Sequence, residues 1–407
     1  MLPYRPGQFI APATNPWASQ APATVWSMPR YEGPGGYADL MQGQNIDSIT
    51  VEGFTSIKSA VVRLHKLNLL VGANGAGKSN FVDALGMLGR IVDGELGLFV
   101  GLSGGAGTLL SDDPDSTGQM RMEVEFETGG YSVTLVAAAG DELIFLDEII
   151  WPLPEASHPV ASLGRGHRES RLAEASNEPE WSHTARHLVS ALRGCRVFHF
   201  QDTSRDAPVK QQGYTSDNLM LHPDARNLAA VLLNLLETER ASYRRILGAI
   251  RQVAPFFRDF VLKPERSAER LMLRWQQEGS DTVFPADALS DGTLRFICLA
   301  TLLGQPELPG VIVLDEPELG LHPFAIVQLA EMLRAASRRS QVVVATQSVT
   351  LMNQFEADDL IVVERRGGFS SFERPDQQHL RDWLLDYSLG ELWEKNLLGG
   401  RPQPERR

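Results

Sequence analysis

The sequence predicts an α/β fold with a mixed central sheet, an antiparallel β subdomain and a helical lobe. The first observation behind that prediction is an alternating strand pattern from Ile46 that runs into a glycine-rich loop at residues 72–79. Two short apolar runs in the last third, VIVLDE and QVVVAT, are separated by a helical stretch, as parallel β-α-β units require. A third signal is the alternation over residues 118–151, with turns at Gly129-Gly130 and Gly140-Asp141, which reads as an antiparallel meander.

Taken in order, residues 1–45 are rich in Pro, Gly, Ala and Gln without periodicity and read as an extended or disordered tail. A first lobe follows over 46–152, holding the glycine-rich loop and the meander. Residues 152–182 are polar and read as a loop or insertion. Leu228, Val231, Leu232, Leu235 and Leu236 fall on helical spacing in a segment that Pro255 closes, giving a helical lobe within 153–285. A second lobe spans 286–402, and residues 403–407 form a tail.

The 407 residues, 43% of them hydrophobic, suffice for a sizeable core. A formal charge of −13 speaks against a surface that is basic throughout, so nucleic-acid contact would need a local patch or a partner. Cys195 and Cys298 sit in apolar surroundings and read as small core residues in a reducing compartment. No apolar stretch approaches the ~18 residues of a membrane span, and no signal peptide is evident. A cytoplasmic protein without membrane contact is expected.

Gly72-Ala73-Asn74-Gly75-Ala76-Gly77-Lys78-Ser79, followed by Asn80, fits G-x-x-x-x-G-K-[ST] between a predicted strand and a predicted helix. Such a loop curls so that main-chain N–H groups and a helix N-terminus face phosphate oxygens. Lys78 is expected to bridge the β- and γ-phosphates of ATP, and Ser79 to ligate Mg²⁺. Val311–Leu314 is an apolar strand ending in Asp315-Glu316-Pro317, which sets two carboxylates at a sheet edge. Asp315 then holds Mg²⁺ and Glu316 polarises the attacking water as general base.

Leu289-Ser290-Asp291-Gly292-Thr293-Leu294-Arg295-Phe296 opens an apolar helical stretch, with Ser290 placed as N-cap 25 positions before Asp315. Leu102-Ser103-Gly104-Gly105 has similar letters but lies far upstream, in a run that reads as a flexible loop. Gln347, after QVVVAT, cannot titrate yet can hydrogen-bond phosphate or water through its amide. Gln201, after a predicted strand, is the candidate for the glutamine that reaches the metal, with a helix or core role as the alternative. His183 and His187 share a helix face but lack the Glu of H-E-x-x-H, and Arg244, Arg245, Arg334, Arg338 and Arg339 read as solvated helix faces.

Together ITVEGF, GANGAGKSN, LSDGTLRF, VLDEPELGLHP, VVVATQS and DYSLGELWEKNLLGGRP resemble the stand-alone RecF-like AAA-family ATPases, relatives of RecF and SMC heads, over residues 46–402. The resemblance implies a P-loop NTPase of ABC type that dimerises on ATP. Ser290, Asp291 and Gly292 would then bind the γ-phosphate held by the opposite subunit. Glu318–Pro323, with His322, would touch that subunit, and Gln347 would stand at the switch position. It suggests DNA repair or defence against phage, with DNA or an effector protein encoded nearby as further partners. An ATP-gated scaffold with negligible turnover, regulating a nuclease or toxin, is the rival reading. Ser79 and Ser290 lie 211 positions apart with no sustained heptads between them, so long coiled-coil arms are not expected.

Overall fold

The computed structural model describes residues 45–111, 118–152, 160–264 and 269–399. Apart from Asn45, both expected tails therefore lie outside the described residues.

Six strands form an antiparallel sheet in the order β2-β1-β4-β5-β6-β7. They are β1 (Ile46–Phe54), β2 (Ile57–Arg63), β4 (Gln119–Phe126), β5 (Gly129–Ala138), β6 (Glu142–Pro152) and β7 (Ala161–Gly164). The expected meander is thus β4 to β6. It is extended by β7, which lies inside the polar stretch expected to be loop. Polar composition hid this strand because it is a short edge strand whose side chains are exposed or half-buried.

The second sheet runs β17-β16-β3-β15-β14-β8. Its members are β3 (Leu67–Val71), β8 (Cys195–Phe198), β14 (Val311–Asp315), β15 (Gln341–Thr346), β16 (Leu360–Arg366) and β17 (Phe369–Glu373). All neighbours are parallel except β16 and β17. Its inner strands β3, β14 and β15 are buried on both faces, which is why they read as nearly unbroken apolar runs. Leu69, Val71, Ile312, Leu314, Val342 and Val344 point into one core, whereas Leu70, Val311, Val313, Val343 and Ala345 point into the other. Five shorter strands, β9 (Gly213–Tyr214), β10 (Phe257–Phe260), β11 (Arg270–Leu271), β12 (Arg274–Gln277) and β13 (Val283–Pro285), form two small sheets.

The main helices are α1 (Lys78–Val92), α2 (Leu96–Leu102), α3 (Ala106–Leu109), α4 (Leu172–Ala175), α5 (Ser182–Arg193), α6 (Leu228–Thr238), α7 (Arg240–Val253), α8 (Asp291–Gly304) and α9 (Pro323–Ser337). Helices α1 and α5 share one core with the antiparallel sheet, and α6 to α9 fill the other. The single helical segment expected before Pro255 is broken at Glu239, whose φ of −128° and ψ of 54° leave the helical region. Leu102 ends α2, and residues 103–105 form the turn into α3. Ser103 caps α2 by donating to Phe99 O, and the Asp141 carboxylate accepts the Gly107 N–H of α3.

One amide joins the two sheets. Buried Gln341, at the start of β15, accepts the Ile46 N–H through Oε1 and donates through Nε2 to Ile46 O and His65 O. Cys195 and Cys298 are both buried free thiols, and burial pushes each pKa up to about 12. Two of the arginines expected on solvated faces are anchored. Arg339 donates to Leu303 O, Gln305 O and Pro306 O at the C-terminus of α8, and Arg334 donates to Gln354 O. Among the described residues no helix is long and apolar enough to cross a membrane.

Candidate functional site

Parallel strands deliver their C-terminal ends to one edge, and this edge gathers most of the candidate residues. Across it lie Gln201 after β8, Asp315 and Glu316 at the end of β14, Gln347 after β15, and the loop 72–77 after β3.

Gly77 stands at φ 108°, where an added Cβ would lie 2.0 Å from Ser370 Oγ, so no other residue fits the last step into α1. The loop is held from behind by a hydroxyl chain. Asn80 donates to Ser56 Oγ, which pairs with Ser370 Oγ, and Ser370 donates to Ala76 O at 2.7 Å. Asn80, expected among the nucleotide-binding residues, thus holds the loop in this structure. Lys78 is 5% exposed and donates to Gly72 O at 2.8 Å and Ala73 O at 3.1 Å. Burial lowers its pKa, while Glu316, Asp315 and Glu318 pull it back up.

Ser79 donates to Asp315 Oδ2 at 2.9 Å. The other oxygen, Asp315 Oδ1, is buried without a hydrogen-bond partner, and such an orphan acceptor is costly unless a cation or donor meets it. A hydroxyl and a carboxylate at this spacing, with one oxygen unspent, fit a hard divalent cation such as Mg²⁺. Gln201 reaches the same place through its amide, donating to Asp315 O at 3.1 Å. Among the described residues no group of three His, Cys, Asp or Glu forms a metal cluster.

Glu316 adopts φ 45°, a left-handed conformation that strains a non-glycine residue, and its N–H donates to Ala345 O at 2.8 Å. The strain turns the chain sharply after β14 and leaves the carboxylate partly exposed at the sheet edge. Gln347 Nε2 donates to Glu316 Oε1 at 2.9 Å.

Ser290 caps α8, its hydroxyl accepting the Thr293 N–H at 3.3 Å. Ser290 and Asp291 are exposed and Gly292 half-buried. A Cβ on Gly292 would lie 2.5 Å from Gly320 O, so the start of α8 and the loop after Glu316 pack main chain against main chain. Arg295, which sequence reading passed over, ties this corner together by donating to Leu319 O and Gln201 O, each at 2.8 Å. Among the described residues no hydrogen bond joins Ser290, Asp291 or Gly292 to residues 72–79.

His322, expected at a partner contact, caps α9, its Nδ1 accepting the Phe324 N–H. Leu319 and Phe324 beside it are 47% and 49% exposed. Glu318 was also expected at that contact, but the structure buries it; it is 7% exposed, with Oε1 accepting the Thr346 hydroxyl. The positive φ of Glu316 accounts for the difference, because the turn it starts swings Glu318 under the sheet edge.

Comparison with known proteins agrees with this architecture. A family model described as "AAA domain, putative AbiEii toxin, Type IV TA system" matches residues 67–353. No curated protein matches the sequence. Among solved structures, an SMC head bound to the C-terminal winged-helix domain of ScpA is 17% identical, with a TM-score of 0.55, and the match covers 83% of this chain and 99% of that one. An SMC head with an extended coiled coil, bound to the C-terminal domain of ScpA from Pyrococcus furiosus, is 15% identical with a TM-score of 0.55, covering 84% and 98%. At such identity the likeness establishes the fold, that of a P-loop NTPase of ABC type.

Proposed function

We propose that this chain, which belongs to the AAA-domain family of the AbiEii kind, binds and hydrolyses Mg-ATP and closes on a second copy of itself around the nucleotide. The observation that carries the reading is the separation of two half-sites. Lys78, Ser79, Asp315 and Glu316 converge at one sheet edge, whereas Ser290, Asp291 and Gly292 present an exposed helix N-terminus that makes no hydrogen bond to the loop 72–79 of its own chain. Each half-site is then completed by the other subunit.

In this reading Lys78 leaves Gly72 O and Ala73 O for the β- and γ-phosphates. Ser79 and Asp315 hold the magnesium ion, which neutralises charge on the transferred phosphoryl group. Glu316 accepts a proton from the attacking water, and Gln347 orients that water through its amide. The lobe of residues 46–152 contributes the ATP loop, 286–402 the cap, base and switch, and 153–285 the surface that responds to closure.

DNA is the partner class we propose for that surface. The outward face of α7 carries Arg240, Arg244, Arg245 and Arg251 without an intervening carboxylate, in a chain of net charge −13. Repair and defence against phage both accommodate such a partner, and we place the protein in the cytoplasm.

A second reading has its own support. Because Glu316 Oε1 already accepts the Gln347 amide, the base is partly engaged, which favours an ATP-gated scaffold with slow turnover that regulates an effector. The ScpA fragments bound to the similar SMC heads make a protein partner reasonable. Steady-state phosphate release, with and without DNA, separates the two. The first test is the solution mass of Glu316→Gln with and without Mg-ATP. A monomer that becomes a dimer with ATP supports the proposal, and a monomer unchanged by ATP overturns it.

A further inference from the structure

Glu318 lies three residues beyond Asp315 and is buried at 7% exposure. The Leu319 N–H donates to Glu316 O and the Leu321 N–H to Glu318 O, a double turn that carries the side chain inward. There its Oε1 accepts the hydroxyl of Thr346, the fully buried last residue of β15. Thr346 Oγ1 in turn accepts the Ser348 N–H at 3.0 Å. The carboxyl thus holds Thr346 directly and reaches Ser348 through the Thr346 hydroxyl, on either side of Gln347. Oε2 is buried without a hydrogen-bond partner. Burial raises the pKa of this carboxyl above the usual range, in line with a group used for its shape and its acceptors rather than for its charge.

Glu316 and Gln347 lie at the tips of neighbouring strands and meet through a single 2.9 Å hydrogen bond. Beyond the pairing of β14 with β15, that bond and the main-chain bond from Glu316 N to Ala345 O, the Glu318 carboxyl fastens the two tips to each other among the described residues. We infer that Glu318 is a positioning residue for hydrolysis: its buried carboxyl straps the turn 346–348 to the loop after Asp315 and thereby sets the Gln347 amide against the base. This inference rests on the hydrolytic reading above. In this role Glu318 acts through Thr346 and the turn that carries Gln347, not on the reacting atoms.

The test uses full-length protein and Mg-ATP. Glu318→Ala removes the strap, and kcat should fall about 10- to 100-fold, the usual effect of a catalytic group displaced by about 1 Å, with KM for ATP unchanged. Glu318→Gln keeps an acceptor oxygen of the same reach and should restore most of kcat. Thr346→Val guards against misfolding of the alanine variant, since it deletes the hydroxyl at nearly constant volume. It should match Glu318→Ala, and the double variant should be no worse than either single one. Amide exchange at Gln347 and Ser348 should quicken in both single variants.

Unchanged kcat in Glu318→Ala and Thr346→Val, in a wild type that turns over, overturns the positioning role alone. A Glu318→Gln enzyme as slow as Glu318→Ala also overturns it, because charge would then be what matters. A wild type without turnover removes the hydrolytic reading, and the positioning role falls with it.

Discussion

Around Asp315 the structure holds groups under tension. An acceptor oxygen is buried without a partner, an ammonium is buried against its own loop, and Glu316 sits at a positive φ. Ser290 itself shows no such tension: its hydroxyl caps its helix, the next residue is an acid well placed in the first turn, and both face solvent, although Arg295 Nε behind them is buried without a partner. The first region fits the proposed cation and anion, whereas the Ser290 cap is relaxed as it stands. A relaxed N-cap acquires a function only when something outside the chain approaches it, so the two halves of the proposed site should respond differently to mutation.

The largest expected effect is at Lys78. Lys78→Ala should weaken ATP binding by about 100-fold or more in a calorimetric titration, because the phosphates lose the one ammonium in the loop. Unaltered affinity would break the comparison at its stronger end. Glu316→Gln should keep affinity while phosphate release drops by about 10²- to 10³-fold, and wild-type turnover in this variant would remove Glu316 from the role of base.

Ser290→Ala should leave ATP affinity of the monomer unchanged and reduce ATP-dependent dimerisation measured by light scattering. It should also cost about 1 kcal/mol of stability through the lost cap. If affinity of the monomer fell instead, the two half-sites would be one.

The smallest effect concerns pH. Because burial raises the Glu318 pKa above 4.5, the folded chain holds this proton more tightly than the unfolded chain does. Stability therefore falls as pH rises from the unfolded value through the raised one, and no further beyond it. Glu318→Gln cannot ionise, so its Tm relative to wild type should rise with pH across that window. A difference independent of pH would show that the carboxyl ionises as easily in the fold as outside it.

Sequence carried the chemistry of this edge further than its geometry. The loop 72–79, the carboxylate pair after VIVL and the capped start of α8 were legible because each is a local pattern, with residue type and spacing fixed by the strand or helix that bears it. The parallel sheet was legible for a related reason: strands buried on both faces leave unbroken apolar runs. What sequence withheld depends on chain direction after a turn. Glu318 belongs to a segment that reads as surface, and only the reversal at Glu316 sends it inward. Arg295 and Arg339 look like ordinary helix arginines, and their carbonyl partners lie 24 to 94 and 33 to 36 residues away respectively. The edge strand β7 escaped because edge position permits polar side chains on both faces.

The backbone at Glu316 has an outcome that no affinity measurement reveals. Glycine reaches φ 45° without steric cost, so Glu316→Gly should relieve strain of order 1 kcal/mol while deleting the proposed base. Mutagenesis scored only by folding yield or thermal tolerance would thus enrich an inactive chain. Thermostable variants of this protein should therefore be screened for phosphate release before any is taken as an improved enzyme.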